Sequence, residues 1–224
     1  MAFNIDSQTD IANLALDHLG QTPVNSITTP KTKVEELCAR WYEQTRRFLL
    51  EHYDWNFAIK RAILAPLSEE VPFGYETQYE LPEDLLNLLS VGEDYYYDHP
   101  NTYTVEGNRL LTRKLNGANY APIQDNQLPI RYVENFTNVA GMTASFIQAF
   151  ALLYAANLAQ PLTNSSSKIQ QLEARFVVVV KMAKINDAVR SPIKRVNRYR
   201  SYLDHQGDGD RVHGSEYGGY LWLG

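Results

Sequence analysis

Helical periodicity occurs in two blocks of this 224-residue chain, and a stretch punctuated by proline and glycine separates them. Apolar residues recur every three or four positions over residues 11–19 and 34–55, and again over 142–159 and 169–183. Between them, ten Pro and Gly residues divide positions 66–129 into short runs that are rich in aromatic and β-branched side chains. Short aromatic and β-branched runs between Pro and Gly residues are typical of strands and turns, and Pro and Gly at this frequency prevent a continuous helix. The sequence therefore predicts a mainly α protein of the α+β class, with a small β domain inserted between helices.

Four helices are predicted, and they are expected to pack as a four-helix bundle. Capping boxes mark the first two, because Ser7 precedes Asp10 by three residues and Thr32 precedes Glu35 in the same way. Gly20 fits the left-handed position that ends a helix, and Pro161 is expected to end the third. The predicted helices span residues 7–20, 33–55, 138–160 and 168–188. The predicted strands span residues 75–81, 88–97, 101–106, 109–114 and 128–133.

These patterns divide the chain into three regions. Residues 1–60 and 136–189 are predicted to form the helical bundle, and 61–135 the inserted β domain. Residues 190–224 lose all periodicity and end in a Gly-rich, aromatic segment, which predicts an extended C-terminal arm that cannot fold alone.

Charge is distributed unevenly along the chain, whose formal net charge is −5. Residues 68–135 contain twelve acids and four bases, a balance of −8, whereas residues 190–203 contain five bases and no acid, a balance of +5. Either segment can be a solvated face or can meet a charged partner. The single cysteine, Cys38, excludes an internal disulfide and lies on the apolar stripe of the second helix, which predicts that it is buried. No secretory leader and no membrane span is predicted, so we expect no membrane partner.

No catalytic or cofactor motif is found in the sequence. The five histidines are far apart, and the phosphate-binding loops, metal-binding pairs and nucleophile elbow of known enzyme classes are missing. The adjacent acids Glu69–Glu70 and Glu93–Asp94 would point to opposite faces of a strand, so neither pair could act on one glycosidic bond. We therefore expect a protein that is not an enzyme and binds no cofactor or metal. Arginines interleaved with tyrosines over 195–203 are only a weak indication of nucleic-acid binding.

The fourth helix is apolar around more than one face. Residues 176–180 read FVVVV, while its core stripe already requires Ile169, Leu172 and Ala183. A second apolar face predicts burial against another subunit, with Phe176, Val178 and Val179 as the interface residues.

The succession of these segments resembles the head-to-tail adaptor proteins of short-tailed bacteriophages, which are also called gateway or tail tubular A proteins. The motifs that carry the resemblance are IANLALDHLGQTPVNSI (11–27), YDWNF (53–57), YELPEDLLNLLSV (79–91), YTVEGNRLLT (103–112) and FIQAFALLYAANLAQPLTNSSSKIQQLEARF (146–176).

The resemblance implies a structural virion protein that is assembled in the host cytoplasm. In this family a ring, commonly of twelve copies, docks beneath the portal protein, the β domain faces the tail nozzle protein, and the C-terminal arm reaches onto the portal. DNA would pass through the channel without sequence-specific binding. The residues expected to bind the portal from the arm are Arg195, Arg198, Tyr199, Arg200, Tyr202, Tyr220 and Trp222.

Two other functions stay open from the sequence. An adaptor can carry an accessory cell-wall hydrolase activity against peptidoglycan or another glycan, which requires a carboxylate pair that the sequence does not place. The chain can also be a monomeric bacterial binding module with no role in a virion.

Overall fold

The computed structural model describes residues 5–92, 103–113 and 127–190, and these residues form a mixed α+β structure, as predicted. All of them belong to one compact unit, Met1–Ile193. The helices are α1 (Gln8–Leu19), α2 (Lys33–Glu51), α3 (Ala144–Thr163) and α4 (Ser166–Arg190). The strands are β1 (Ile59–Leu64), β2 (Thr77–Glu80), β3 (Leu85–Val91), β4 (Tyr103–Glu106), β5 (Arg109–Thr112) and β6 (Leu128–Glu134).

Both predicted capping boxes are present. The Ser7 hydroxyl accepts from the Asp10 amide at 3.1 Å, and the Ser7 amide donates to the Asp10 carboxylate at 2.9 Å. Thr32 and Glu35 make the same reciprocal pair at the start of α2. Gly20 ends α1 with φ of 70°, in the left-handed region that glycine adopts without steric cost. Local sequence therefore sets the start of α1 and α2.

Helix α3 lies at the centre of the helical core and packs against α1, α2 and α4. Its alanines, including Ala149, Ala155 and Ala159, are fully buried and let the neighbouring helices approach closely. Aromatic rings fill the space between α2 and α3, with Tyr42 5.1 Å from Phe150 between ring centroids. Cys38 is fully buried here, as predicted.

Three predicted helix limits are wrong. Helix α2 ends at Glu51 rather than continuing to Trp55, because the Trp55 indole folds back and donates to the Leu49 carbonyl at 2.9 Å. Helix α3 begins only at Ala144, after a short 3-10 turn, and it continues past Pro161 to Thr163. Proline lacks a backbone N–H and therefore removes one hydrogen bond from a helix. Near the end of a helix few hydrogen bonds follow the proline, so the helix can continue to the end of its last turn.

Two α2 side chains have an exposure that is unusual for their residue type. Arg46, although charged, is 1% exposed and donates to the Phe136 carbonyl and to the Asn135 side chain. Phe48, although apolar, is 53% exposed and stacks on His52. Arg46 thus ties α2 to the chain that leaves β6.

The strands form two antiparallel three-stranded sheets, ordered β1-β6-β3 and β2-β5-β4. Alternate residues of the first sheet, including Ile130 and Tyr132, pack with Tyr79 and Leu110 of the second sheet in a separate apolar cluster. On the opposite face of the first sheet, Val133 packs into the helical core. The sequence analysis did not predict strand β1 or the antiparallel pairing of β3 with β6.

Candidate assembly surface

The inner face of α4 is packed against the helical core. Leu172 and Ala183 are fully or almost fully buried, and Phe176, Val179 and Val180 are partly buried against the same core. This face alone accounts for the docking of α4 on α3, as expected for a surface helix with one apolar stripe.

The outer face of α4 is also apolar, and it is exposed. Its large side chains are 55–79% exposed, and they are Val177, Val178, Met182, Ile185 and Val189. Four of them follow each other at steps of four, three and four residues, the spacing that helices use to pack against another helix. The helix therefore offers a continuous apolar strip on the side that faces away from the rest of the described chain.

Exposed charged residues border this outer face. Arg175, Lys181 and Arg190 are exposed bases on α4, and Glu173 is an exposed acid. The surface is thus an apolar strip with a mainly basic border, which favours a partner with apolar and acidic groups.

The C-terminal end of α4 is fixed by a buried carboxylate. Asp187 is 1% exposed and accepts from the backbone amide of Asn56 at 3.0 Å and from its side-chain amide at 2.9 Å. The side-chain amide of Asn56 also donates to the Asp187 carbonyl, at 2.7 Å. Burial raises the pKa of Asp187, while the hydrogen bonds from Asn56 oppose this shift.

One turn earlier, the Lys184 ammonium lies 5.3 Å from the centre of the Tyr53 ring, whose hydroxyl donates to the Lys184 carbonyl at 3.3 Å. Because both contacts join α4 to the segment after α2, the outer face is presented on a helix that is fixed at this end.

The three interface residues predicted from the sequence lie on two different sides of α4. Val178 belongs to the outer face at 59% exposed, whereas Phe176 and Val179 turn partly toward the core of their own chain. The sequence analysis did not predict Met182, Ile185 and Val189 as interface residues. Extending the helical periodicity of α4 beyond Val180 would have identified them.

The structure does not describe most of the remaining candidate residues. All seven predicted portal-binding residues, from Arg195 to Trp222, lie outside the described residues, as do Glu93 and Asp94. Glu69 and Glu70 are exposed in the connection between β1 and β2.

Within the ranges 5–92, 103–113 and 127–190, no group of three or more His, Cys, Asp or Glu side chains could hold a metal ion. None of the helices in these ranges combines the length and the apolar character that crossing a bilayer requires.

No protein-family model and no curated protein sequence matches this chain. The resemblance to phage adaptor proteins thus depends on the succession of motifs in the sequence.

Proposed function

We propose that this protein is a structural virion component, a ring-forming head-to-tail adaptor that connects the portal protein to the tail nozzle and closes the region of the DNA exit channel after packaging. In this proposal the helices form a four-helix bundle, the two sheets form the inserted β domain that faces the nozzle, and residues 190–224 form the arm that reaches the portal. The succession of adaptor-like motifs along residues 11–176 supports the family assignment.

The exposed outer face of α4 is the observation that carries the proposal. Five large apolar side chains of α4 are exposed to solvent, while the other face of this helix already packs against the helical core. Monomeric proteins rarely expose a contiguous apolar strip of this kind, and such strips mark surfaces that contact another protein. In a ring every copy contributes the same strip to a neighbour, so one modest contact is repeated around the circle.

Sedimentation velocity and electron microscopy of the full-length chain test this function. We expect oligomers at micromolar concentration, and rings, commonly twelvefold, where the protein is mixed with purified portal rings of a short-tailed phage. A chain that stays monomeric in the absence and presence of portal would contradict the proposal.

The proposal also treats the protein as non-enzymatic. Glu69 and Glu70 are exposed neighbours in the connection between β1 and β2. Purified protein should leave no cleared zone on a peptidoglycan zymogram. A cleared zone that a Glu70→Gln variant loses would favour the accessory hydrolase instead.

A further inference from the structure

The outer face of α4 has a basic residue on each side of its apolar strip. An α-helix turns by about 100° per residue, so the positions three before and three after Val178 fall on opposite sides of it. These positions hold Arg175 and Lys181, which are exposed and make no ion pair with any residue that the structure describes. Between the two bases, Val178 and Met182 are 59% and 60% exposed. We call these four residues the Val178 patch, and its chemistry favours an apolar group with acids beside it.

A projection with this chemistry lies at the sheets of the same chain. Residues 65–76, the Phe73 loop, connect β1 to β2. Phe73 is 86% exposed, the highest value among the large apolar side chains of the described residues. The loop also carries the exposed acids Glu69, Glu70 and Glu76, and it contains no base. Aromatic residues are typical anchors at protein interfaces, and the acids beside this one favour a basic surface.

Hydrogen bonds fix the base of the Phe73 loop to the second sheet. The Leu67 amide donates to the Gln78 carbonyl at 2.9 Å, and the Gln78 side chain donates to the Glu69 carbonyl at 3.0 Å. At the other end, the Glu76 amide donates to the Thr112 carbonyl at 3.0 Å. The loop thus projects from a defined position, which lowers the entropy that docking would cost.

The Phe73 loop and the Val178 patch lie on different layers of one chain. Val133 of β6 packs into the helical core, whereas Ile130 of the same strand packs against the second sheet, so the first sheet lies between the helices and the second sheet. Phe73 and Val178 are both exposed in the same chain, so the loop does not cover the patch of its own copy. A projection and a receiving surface at different places on one subunit allow a head-to-tail contact, which forms a ring where the rotation closes.

We propose that the Phe73 loop of one copy docks on the Val178 patch of the next copy in the ring. The Phe73 ring packs between Val178 and Met182, and carboxylates of the loop pair with Arg175 and Lys181. This contact rests on the proposed function because it requires copies of the chain side by side. It deepens that function by naming what covers the outer face of α4.

Disulfide cross-linking of a Phe73→Cys, Val178→Cys double variant tests the contact. Both side chains are more than half exposed, so neither substitution removes a core residue. The native Cys38 is fully buried and burial raises the pKa of its thiol, which keeps it out of the reaction. Oxidation of the assembled protein, alone or on portal rings, should give a ladder of covalent dimers, trimers and larger species. Either single variant should give only slow, collisional dimers.

Two matched controls use other exposed apolar positions. Val105 on β4 is 44% exposed, so a Val105→Cys, Val178→Cys variant measures random collision between the sheets of one copy and α4 of another. Val189 lies on the same strip eleven residues after Val178, about 16 Å further along the helix. A Phe73→Cys, Val189→Cys variant therefore tests the position of the contact on α4. Both controls should give weaker ladders than the Phe73→Cys, Val178→Cys variant.

Charge reversal tests the pairing of the acids with the bases. Arg175→Glu and Lys181→Glu together, in the cross-linking background, should slow ladder formation several-fold, because the acids of the loop then face acids. Adding Glu69→Lys and Glu70→Lys should restore part of the rate. Added salt should also slow the ladder of the parent double variant, since salt screens exposed charges.

The outcomes separate this contact from the proposed function. A ladder that is absent, or no stronger than that of the Val105 control, while sedimentation still shows oligomers, overturns the contact and leaves the ring in place. Rapid dimer formation by the Val178→Cys single variant would show that two copies of α4 face each other, which also overturns the contact. An equal ladder from the Val189 control, or a ladder that charge reversal does not slow, overturns the docking at the Val178 patch. Absence of a ladder together with a monomeric chain under every condition contradicts both proposals.

Discussion

Replacing Met182 by glutamate tests the outer face of α4 most directly. Fully burying a Val, Ile or Met side chain stabilises a complex by about 1.5–3 kcal/mol. The five outer side chains are already 21–45% buried in the monomer, so completing their burial in a ring would add about 5–9 kcal/mol. Association costs roughly 4–15 kcal/mol in lost translational and rotational freedom. The margin is small, so the loss of one side chain should have a measurable effect.

Met182 is 60% exposed, so its share of that gain is about 1–2 kcal/mol. Glutamate loses this share and also places an unpaired carboxylate in the contact. Each 1.4 kcal/mol is about a tenfold change in affinity, so we expect self-association to weaken by at least roughly tenfold. The free energy of unfolding of the monomer should change by less than about 0.5 kcal/mol, because the position faces water.

Sedimentation velocity over a concentration series measures the association, and urea unfolding measures the stability. Phe48→Glu is the matched control, since Phe48 is an exposed apolar residue of α2 that lies outside the outer face of α4. Wild-type association by the Met182→Glu variant would refute the reasoning, and so would an equal loss in the Phe48→Glu control.

Three further predictions concern stability. Trp55→Ala removes a fully buried ring and its hydrogen bond to the Leu49 carbonyl, and should lower the free energy of unfolding by about 3–5 kcal/mol in urea titrations. Burial raises the pKa of Asp187, so its stabilising contribution is fully present below the unfolded pKa, near 3.8, and is lost as pH rises through the folded pKa. Unfolding titrations above pH 4 should therefore show a smaller decline for Asp187→Asn than for wild type, and equal slopes would contradict the assignment. Gly20→Ala should cost about 1 kcal/mol, because the space around Gly20 is open and only its φ of 70° opposes a side chain; an unchanged melting midpoint would exclude this strain.

Features that depend on near neighbours in the sequence were predictable. The two capping boxes and the glycine end of α1 each involve residues within a few positions of one another, so the local pattern contains the whole interaction. Arg46 was not predictable in the same way. Its partners Asn135 and Phe136 are 89 and 90 residues away in the sequence, and nothing near Arg46 indicates that they satisfy a buried guanidinium.

The sequence predicted that α4 carries the candidate assembly surface, but it did not predict which side chains of α4 form that surface. The apolar run at residues 176–180 indicates that α4 has a second apolar face. Because five residues cover more than a full helical turn, the run does not show which of these side chains are exposed. Phe176 and Val179 turn inward because α3 covers that side. The position of Arg61 opposite Arg131 could not be predicted from the sequence for another reason. Arg61 and Arg131 are 70 positions apart, and only the register of β1 on β6 brings them together.

The contact between Asp187 and Asn56 also links the end of α4 to the start of the first sheet. Asp187 lies three residues before the last residue of α4, and Asn56 three residues before β1. Three hydrogen bonds of 2.7–3.0 Å join them. We therefore expect a pull on the chain at Arg190 to load the start of the first sheet through these hydrogen bonds.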